Sequence, residues 1–425
     1  MTTHFTPAAM LERLVAHATV VGTPNGALVD FVADYLEAHG ARVQVLPGPE
    51  GDRSNLFATI GPEDRRGLIL SGHLDVVPAE EPGWQADPFV LRAEAGRLIG
   101  RGACDMKGFV AAVLAAVPAM AETQLETPLH IALSYDEEAG CRGVGHMIDR
   151  LPELCPPPLG CIVGEPTGLA PVLSHKGKAA VRLVARGIAG HSARPDLGRN
   201  AIHALLPALA RVAEEAARLT AEGPFDDGFA PPHHTMQVGT MSGGEALNVL
   251  PDHAEARIEA RVLPGADPLE VLRPVLDLVA ATEHVEAEIL AAYPPLAQEA
   301  EVPLVRLVEG ISGNAAQSAV SFGTEAGLFR AAGMPAVLCR AGRHGARPQT
   351  RGIHPRKRTR GRARDDPRAD PAACRRRRRG APHAVAARAL ARIGGQSSPV
   401  LGCQVVPSGP LSGARSSSNS YMSGR

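Results

Sequence analysis

SGHLDVVP at residues 71–78 and GRGACDMKG at 100–108, followed by SYDEEAG at 134–140 and VGEPT at 163–167, are the stretches on which the fold turns. In this pattern His73, Asp75, Asp105, Glu137, Glu138 and Glu165 are each expected to close a strand. A lone acidic pair at a strand end is ordinary solvated surface. Four such clusters on successive strands are not, because open α/β sheets gather ligands at the carboxyl ends of their strands. The pattern predicts a mostly parallel sheet flanked by helices, with the ligand set of a two-metal hydrolase at one end.

The residue types suit that chemistry. Zn2+ takes imidazole and carboxylate ligands, and a catalytic site keeps one position open for water. A carboxylate can bridge two metals through its two oxygens, while an adjacent Glu-Glu pair offers one ligand and one base. In the His73-x-Asp75 spacing both side chains leave a strand on the same side, which predicts that Asp75 fixes the tautomer of His73.

Outward from these clusters, residues 8–17 and PNGALVDFVADYLEAHG at 24–40 predict two helices, the second with Pro24 at its start and Gly40 just past its end. Strands are expected near 41–46, 55–60 and 67–72, in PLHIALSYD and in CIVGE, with an Ala-rich helix reaching Ala121. From Lys178 the rhythm changes. Strands in KAAVRLVARGI, HTMQVGTMSGG, HAEARIEARVLPG and HVEAEIL are interleaved with helices in NAIHALLPALARVAEEAARL and DPLEVLRPVLDLVA. That βαββαβ order is the ferredoxin-like split unit. It predicts an inserted domain at 178–292, interrupting a catalytic domain made of 1–177 and 293–339.

At 425 residues the chain can bury two cores, and its hydrophobic content of 44% with a mean hydropathy of −0.04 reads as globular. No apolar run approaches the roughly 20 residues of a membrane span, and the N-terminus has no signal-peptide pattern, so a cytoplasmic address is expected. The seven cysteines show no CxxC pairing and read as reduced thiols.

The metal-ligand clusters resemble those of the dinuclear zinc amidohydrolase and exopeptidase family, which contains acetylornithine deacetylases, succinyl-diaminopimelate desuccinylases, aminoacylases and glutamate carboxypeptidases. The resemblance runs to about Cys339. It implies that His73 and Glu165 hold a first metal, Asp105 bridges, Glu138 holds a second metal, and Glu137 is the general base. It further implies two Zn2+ per subunit, with Co2+ as an alternative, an N-acyl amino acid as substrate, and a homodimer formed through the inserted lid domain.

Within GHSARPDLGRNA at 190–201, the resemblance has His191 reach into the partner's site to polarise the scissile carbonyl; a His capping a turn is the plainer alternative. Asn248 and Arg261 match positions that hold the substrate carboxylate, a group the forked guanidinium suits, though a strand-end Arg can also be merely solvated. The form FGTEAG at 322–327 is closer to the acetylornithine branch than to the desuccinylases. There Glu325 either meets a cationic substrate side chain or sits as an acid at a helix N-terminus. The implied reaction is hydrolysis of N-acetyl-L-ornithine to ornithine and acetate. Desuccinylation or dipeptide hydrolysis is the alternative within the family, and an inactive dimer or a nucleic-acid-binding protein the alternative outside it.

Charge breaks sharply at Arg340. From there onward lie 20 of the 44 Lys and Arg but 3 of the 45 Asp and Glu, so the tail carries a formal +17 and the rest −18. A basic tail attracts phosphates, but this one has no run of aromatic residues for stacking and no recognisable binding fold, so nucleic acid is not the expected partner. The family's last metal ligand, a His in a motif like AHKPDE, is missing. Shifting the reading frame by one base from Arg340 to Arg356 lets the degenerate codons encode GPGDMARAHKPEEYIH, which resembles the missing segment. Residues 340–425 are therefore expected to be an out-of-frame, disordered tail that leaves the second metal without its His. His344 and His354 stand in no matching motif.

Overall fold

The computed structural model describes residues 4–80, 84–94 and 96–342. Its central sheet has six strands in the order Arg42–Pro47, Ser54–Ile60, Leu129–Ser134, Leu68–His73, Gly160–Val163 and Ala336–Leu338. The last four pair in parallel, and only Ser54–Ile60 runs against the rest. Strands Leu68–His73, Leu129–Ser134 and Gly160–Val163 are buried throughout, as strands covered on both faces must be, which explains their continuous rather than alternating apolar character.

Helices Pro7–Val15, Gly26–Ala38 and Lys107–Ala121 contribute to one core against this sheet, while Val144–Leu154 and Ala326–Ala331 contribute to a second. Helix Lys107–Ala121 is apolar on nearly every side because it is enclosed. Its first residue, Lys107, is fully buried and donates from Nζ to the carbonyl oxygens of Leu14 and His17, tying it to the end of the first helix.

The second sheet is antiparallel, in the order Thr235–Gly243, His253–Val262, Gly177–Arg186 and Val285–Tyr293. Helices Ala201–Glu222 and Pro268–Ala280 cover one face, with Val181, Leu183, Leu205, Ile258 and Leu272 in the shared core. Numbered by sequence these strands read second, third, first, fourth, the ferredoxin-like arrangement that the βαββαβ order predicts. The fold class expected from the sequence, a mostly parallel helix-flanked sheet with a ferredoxin-like insert, is the one observed. The expectations for the tail beyond Gly342, including its disorder and the roles of His344 and His354, lie outside the described residues.

Candidate metal centre

Strand Leu68–His73 delivers its last residue, His73, fully buried to the carboxyl end of the sheet. The Nδ1 of His73 lies 2.9 Å from the main-chain oxygen of Asp75. A carbonyl only accepts, so Nδ1 carries the proton and Nε2 is left for coordination. That nitrogen faces Asp105 Oδ1 at 3.3 Å and Glu165 Oε1 at 3.9 Å.

Of the six residues expected to close strands only His73 does, and two of the others need further correction. Asp75 lies beyond the strand end, and its carbonyl, not its carboxylate, makes the close contact to the ring; the carboxylate stands 3.5 Å away. Instead the Asp75 carboxylate accepts the main-chain N–H groups of Glu137 and Glu138, each at 3.1 Å, and so fixes the neighbouring turn to His73. Asp105 does not close a strand either. It sits in the turn between strand Arg97–Ile99 and helix Lys107–Ala121, two residues before the helix.

Glu137 and Glu138 follow strand Leu129–Ser134 through a sharp turn, in which Asp136 adopts a left-handed φ of +52°. That conformation is costly for a non-glycine residue. It is held by the Gly22 N–H donating to Asp136 Oδ1 at 2.8 Å and by an ion pair with Arg53. The turn continues to Gly140, at φ +101°, where a Cβ would come within 2.4 Å of Ala291 Cβ on the second sheet. Glu165 follows strand Gly160–Val163 by two residues.

These carboxyls crowd one another. Burial, then Asp105, pushes Glu165 up to about 8 and Glu138 up to about 7. Burial raises Glu137 well above the carboxylate range, and Glu165 and Glu138 add to it. Burial alone would depress His73, but Asp75 and Asp105 hold it well above its ordinary value. A buried group of acids that resists ionising is a site that a divalent cation stabilises. One donor atom from each of His73, Asp105 and Glu165 lies within 4.8 Å of the others, so this trio fits a first metal. Glu138 lines the same cavity, but no second trio of ligands forms among the described residues.

Asp105, Glu137, Glu138 and Glu165 line one wall of a cavity whose far wall comes from the inserted sheet: Lys178, Arg261 and Tyr293. Arg261 Nε donates to Glu259 Oε1 at 2.7 Å, Arg261 Nη1 meets the Tyr293 hydroxyl at 3.2 Å, and Lys178 Nζ lies 3.0 Å from Glu259. Two cations share one carboxylate there, leaving net positive charge to meet an anionic substrate end. Lys178 and Tyr293 were not anticipated; each lies at the point where the chain enters or leaves the insert, and no local pattern marks that.

The sequence stretch FGTEAG contributes to this cavity through Phe322 and Gly323 rather than Glu325. Gly323 allows close approach, since a Cβ there would sit 2.5 Å from the Tyr293 hydroxyl. Glu325 is buried at 1% exposure, taking hydrogen bonds from Ser71 Oγ at 3.2 Å and from Ser134 Oγ. It bridges two adjacent strands and does not line the cavity. It does precede helix Ala326–Ala331, though its side chain makes no capping bond.

His191 and Asn248 also stand outside the cavity. His191 is exposed on strand Gly190–His191, its Nδ1 accepting the Ala193 N–H at 3.1 Å, and Asn248 is exposed beside it, its carbonyl bonded to the Ser192 N–H. Of the cysteines, Cys141, Cys155, Cys161 and Cys339 are free thiols as expected, whereas Cys104 is disulfide-bonded.

A family model described as Peptidase family M20/M25/M40 matches residues 69–358. An acetylornithine deacetylase of Myxococcus xanthus is 36% identical over 345 residues, covering 78% of this chain and 87% of that relative. An acetylornithine deacetylase of Proteus mirabilis is 33% identical, covering 72% and 80%. Among solved structures, an M20 family metallo-carboxypeptidase of Sulfolobus solfataricus superposes with a TM-score of 0.64 at 19% identity, over 79% of this chain and 91% of that one. A dinuclear metal-binding M20 peptidase of Bacillus subtilis gives 0.52 at 13% identity, over 81% and 90%.

Proposed function

The chain belongs to peptidase family M20/M25/M40 and is a metal-dependent amidohydrolase, and we propose that it hydrolyses N-acetyl-L-ornithine to ornithine and acetate. The observation that carries this reading is the two-walled cavity: the His73, Asp105 and Glu165 cluster with Glu137 and Glu138 on one side, Arg261 and Lys178 on the other. One wall suits amide hydrolysis and the other a carboxylate. The deacetylases similar to this chain supply the choice of acyl group and amino acid.

His73, Asp105 and Glu165 would hold one metal ion and Glu138 would contribute to a second; Zn2+ or Co2+ there would supply the Lewis acidity that acidifies water and polarises an acyl carbonyl. Glu137 takes the proton of the attacking water on a carboxylate oxygen as the new C–O bond forms. It returns that proton to the amine nitrogen as the C–N bond breaks. The buried Cys141 thiol donates to Glu137 Oε1 at 3.4 Å and limits where that carboxylate can swing. Arg261 binds the substrate carboxylate through its fork, with Lys178 adding charge. Asp75 keeps His73 and the Glu137–Glu138 turn in register. The four free thiols fit a cytoplasmic address, whereas the Cys104 disulfide runs against it.

The working form is a homodimer in which His191 of a second copy stabilises the oxyanion, with Asn248 beside it. Support comes from exposure: Ile188, Leu197, Leu247 and Val249 around His191 are at least 43% exposed, and strand Thr235–Gly243 forms an edge that presents Val238 and Met241. Such an apolar surface is suited to self-association. A mixture of His191→Ala and Glu137→Gln chains should recover roughly a quarter of the parent activity, because half the dimers are mixed and each holds one intact site. An inactive, verified heterodimer would remove His191 from the partner's site.

A panel of N-acetylornithine, N-succinyl-diaminopimelate, other N-acetyl amino acids and dipeptides, assayed with Zn2+ and Co2+, tests the substrate. The highest kcat/KM should fall on N-acetylornithine; a preference for the succinyl substrate or a dipeptide moves the chain to another branch of the family.

A further inference from the structure

Arg340 follows strand Ala336–Leu338 by two residues, just as Glu165 follows the adjacent parallel strand Gly160–Val163. Its main chain is clamped to the loop beyond Glu165. Arg340 N donates to Thr167 Oγ1 at 3.3 Å, and Arg340 O accepts from the N–H groups of Thr167 at 3.2 Å and Leu169 at 2.9 Å. Its side chain is not splayed into water: the residue is 7% exposed, and its Nε and Nη2 are buried without a hydrogen-bond partner. Burial weakens its hold on the proton while the nearby Glu165 and Asp105 charges strengthen it. A guanidinium does not give up its proton in a protein, so this is a permanent buried cation. The carboxylates it attracts are those that would hold the first metal.

We propose that Arg340 is an internal cation that competes with the metal for Asp105 and Glu165, so that residue 340 sets the metal affinity of the His73–Asp105–Glu165 site. This rests on the metal-centre reading above. A divalent ion entering that trio meets a fixed positive charge whose Nε and Nη2 have no hydrogen-bond partner, and the repulsion acts in a poorly screened interior.

The test uses the full chain stripped of metal and titrated with Zn2+ against a chromophoric chelator. Arg340→Met keeps an apolar stem, Arg340→Gln keeps donors without charge, and Arg340→Lys keeps the charge. The Met and Gln variants should bind the first Zn2+ on the order of tenfold to a hundredfold more tightly than the parent, and the Lys variant within a few-fold of it. Zn2+ should also raise the melting temperature more in the two neutral variants, a readout that survives if either is destabilised. Equal or weaker binding in both neutral variants overturns the proposal. His73→Ala in the Arg340→Met background separates the two ideas: it should abolish the tight binding, and if it does not, the metal centre itself is misplaced.

Discussion

Glu137→Gln is expected to lower kcat by roughly 10²- to 10⁴-fold while leaving metal content unchanged, because a positioned base contributes about that much and an amide cannot take the proton. Glu138→Gln is expected to weaken metal binding instead. The structure gives the pair different surroundings. The Asp75 carboxylate holds the N–H of each, one oxygen per residue, so the turn that carries both side chains is fixed. Glu137 accepts from the Cys141 thiol; burial is the main cause of both raised pKa values, followed for Glu137 by Glu165 and Glu138 and for Glu138 by Asp105, the shared ligand of the site. Metal analysis of dialysed protein, with kcat and KM on N-acetylornithine, checks the assignment. In Glu137→Gln the loss should fall on kcat, since binding of the substrate carboxylate by Arg261 is untouched. Metal loss in Glu137→Gln with full activity in Glu138→Gln would mean the two roles are reversed.

The sheet and the insert were legible because both rest on local periodicity. Continuous apolar runs ending in an acid or His mark strands buried on both faces, and alternation in HAEARIEARV marks a strand with one face on a helical layer, where the observed burial follows the same period of two. The first-metal trio was legible for the same reason: His73 ends its strand and Glu165 follows the end of the neighbouring one by two residues, and the sheet brings strand ends together. Legibility failed where a side chain's meaning depends on distant partners. Glu325 reads as a substrate-facing or helix N-terminal acid, but its partners Ser71 and Ser134 lie 254 and 191 residues away, so no window of sequence shows that it is buried. Asp105 was misplaced on a strand because GRGACDMKG carries a ligand without the apolar run that precedes the others; its glycines make a turn, and Gly102 has φ +74°. Lys178 and Tyr293 face the metal cluster only because the insert packs over it. Arg340 shows the reverse situation. Composition marks it as the first residue of a foreign-looking tail, and the fold nonetheless buries it against the loop that follows Glu165.

Restoring the reading frame at residue 340 is expected to have the largest effect of all: two bound metals per chain and turnover at least on the order of 10²-fold above the parent chain. Two independent changes contribute. The restored segment GPGDMARAHKPEEYIH carries a His, falling across the codons of Pro348 and Gln349, that would complete the second-metal ligands begun by Glu138 and Asp105. It also replaces Arg340 with Gly, removing the cation that opposes the first metal. The two contributions separate in a four-way comparison of the parent, Arg340→Gly alone, the restored frame, and the restored frame with its His changed to Ala. Arg340→Gly alone should tighten the first metal without adding a second and should gain little turnover. The restored frame should bind two, and its His→Ala variant should fall back to one tight metal and lose most of the gain. A two-metal hydrolase needs both ions to place the water and the carbonyl, so stoichiometry and rate should rise together across the series. Full activity with two metals in the parent chain would show instead that another residue of the basic tail, outside the described structure, supplies the missing ligand.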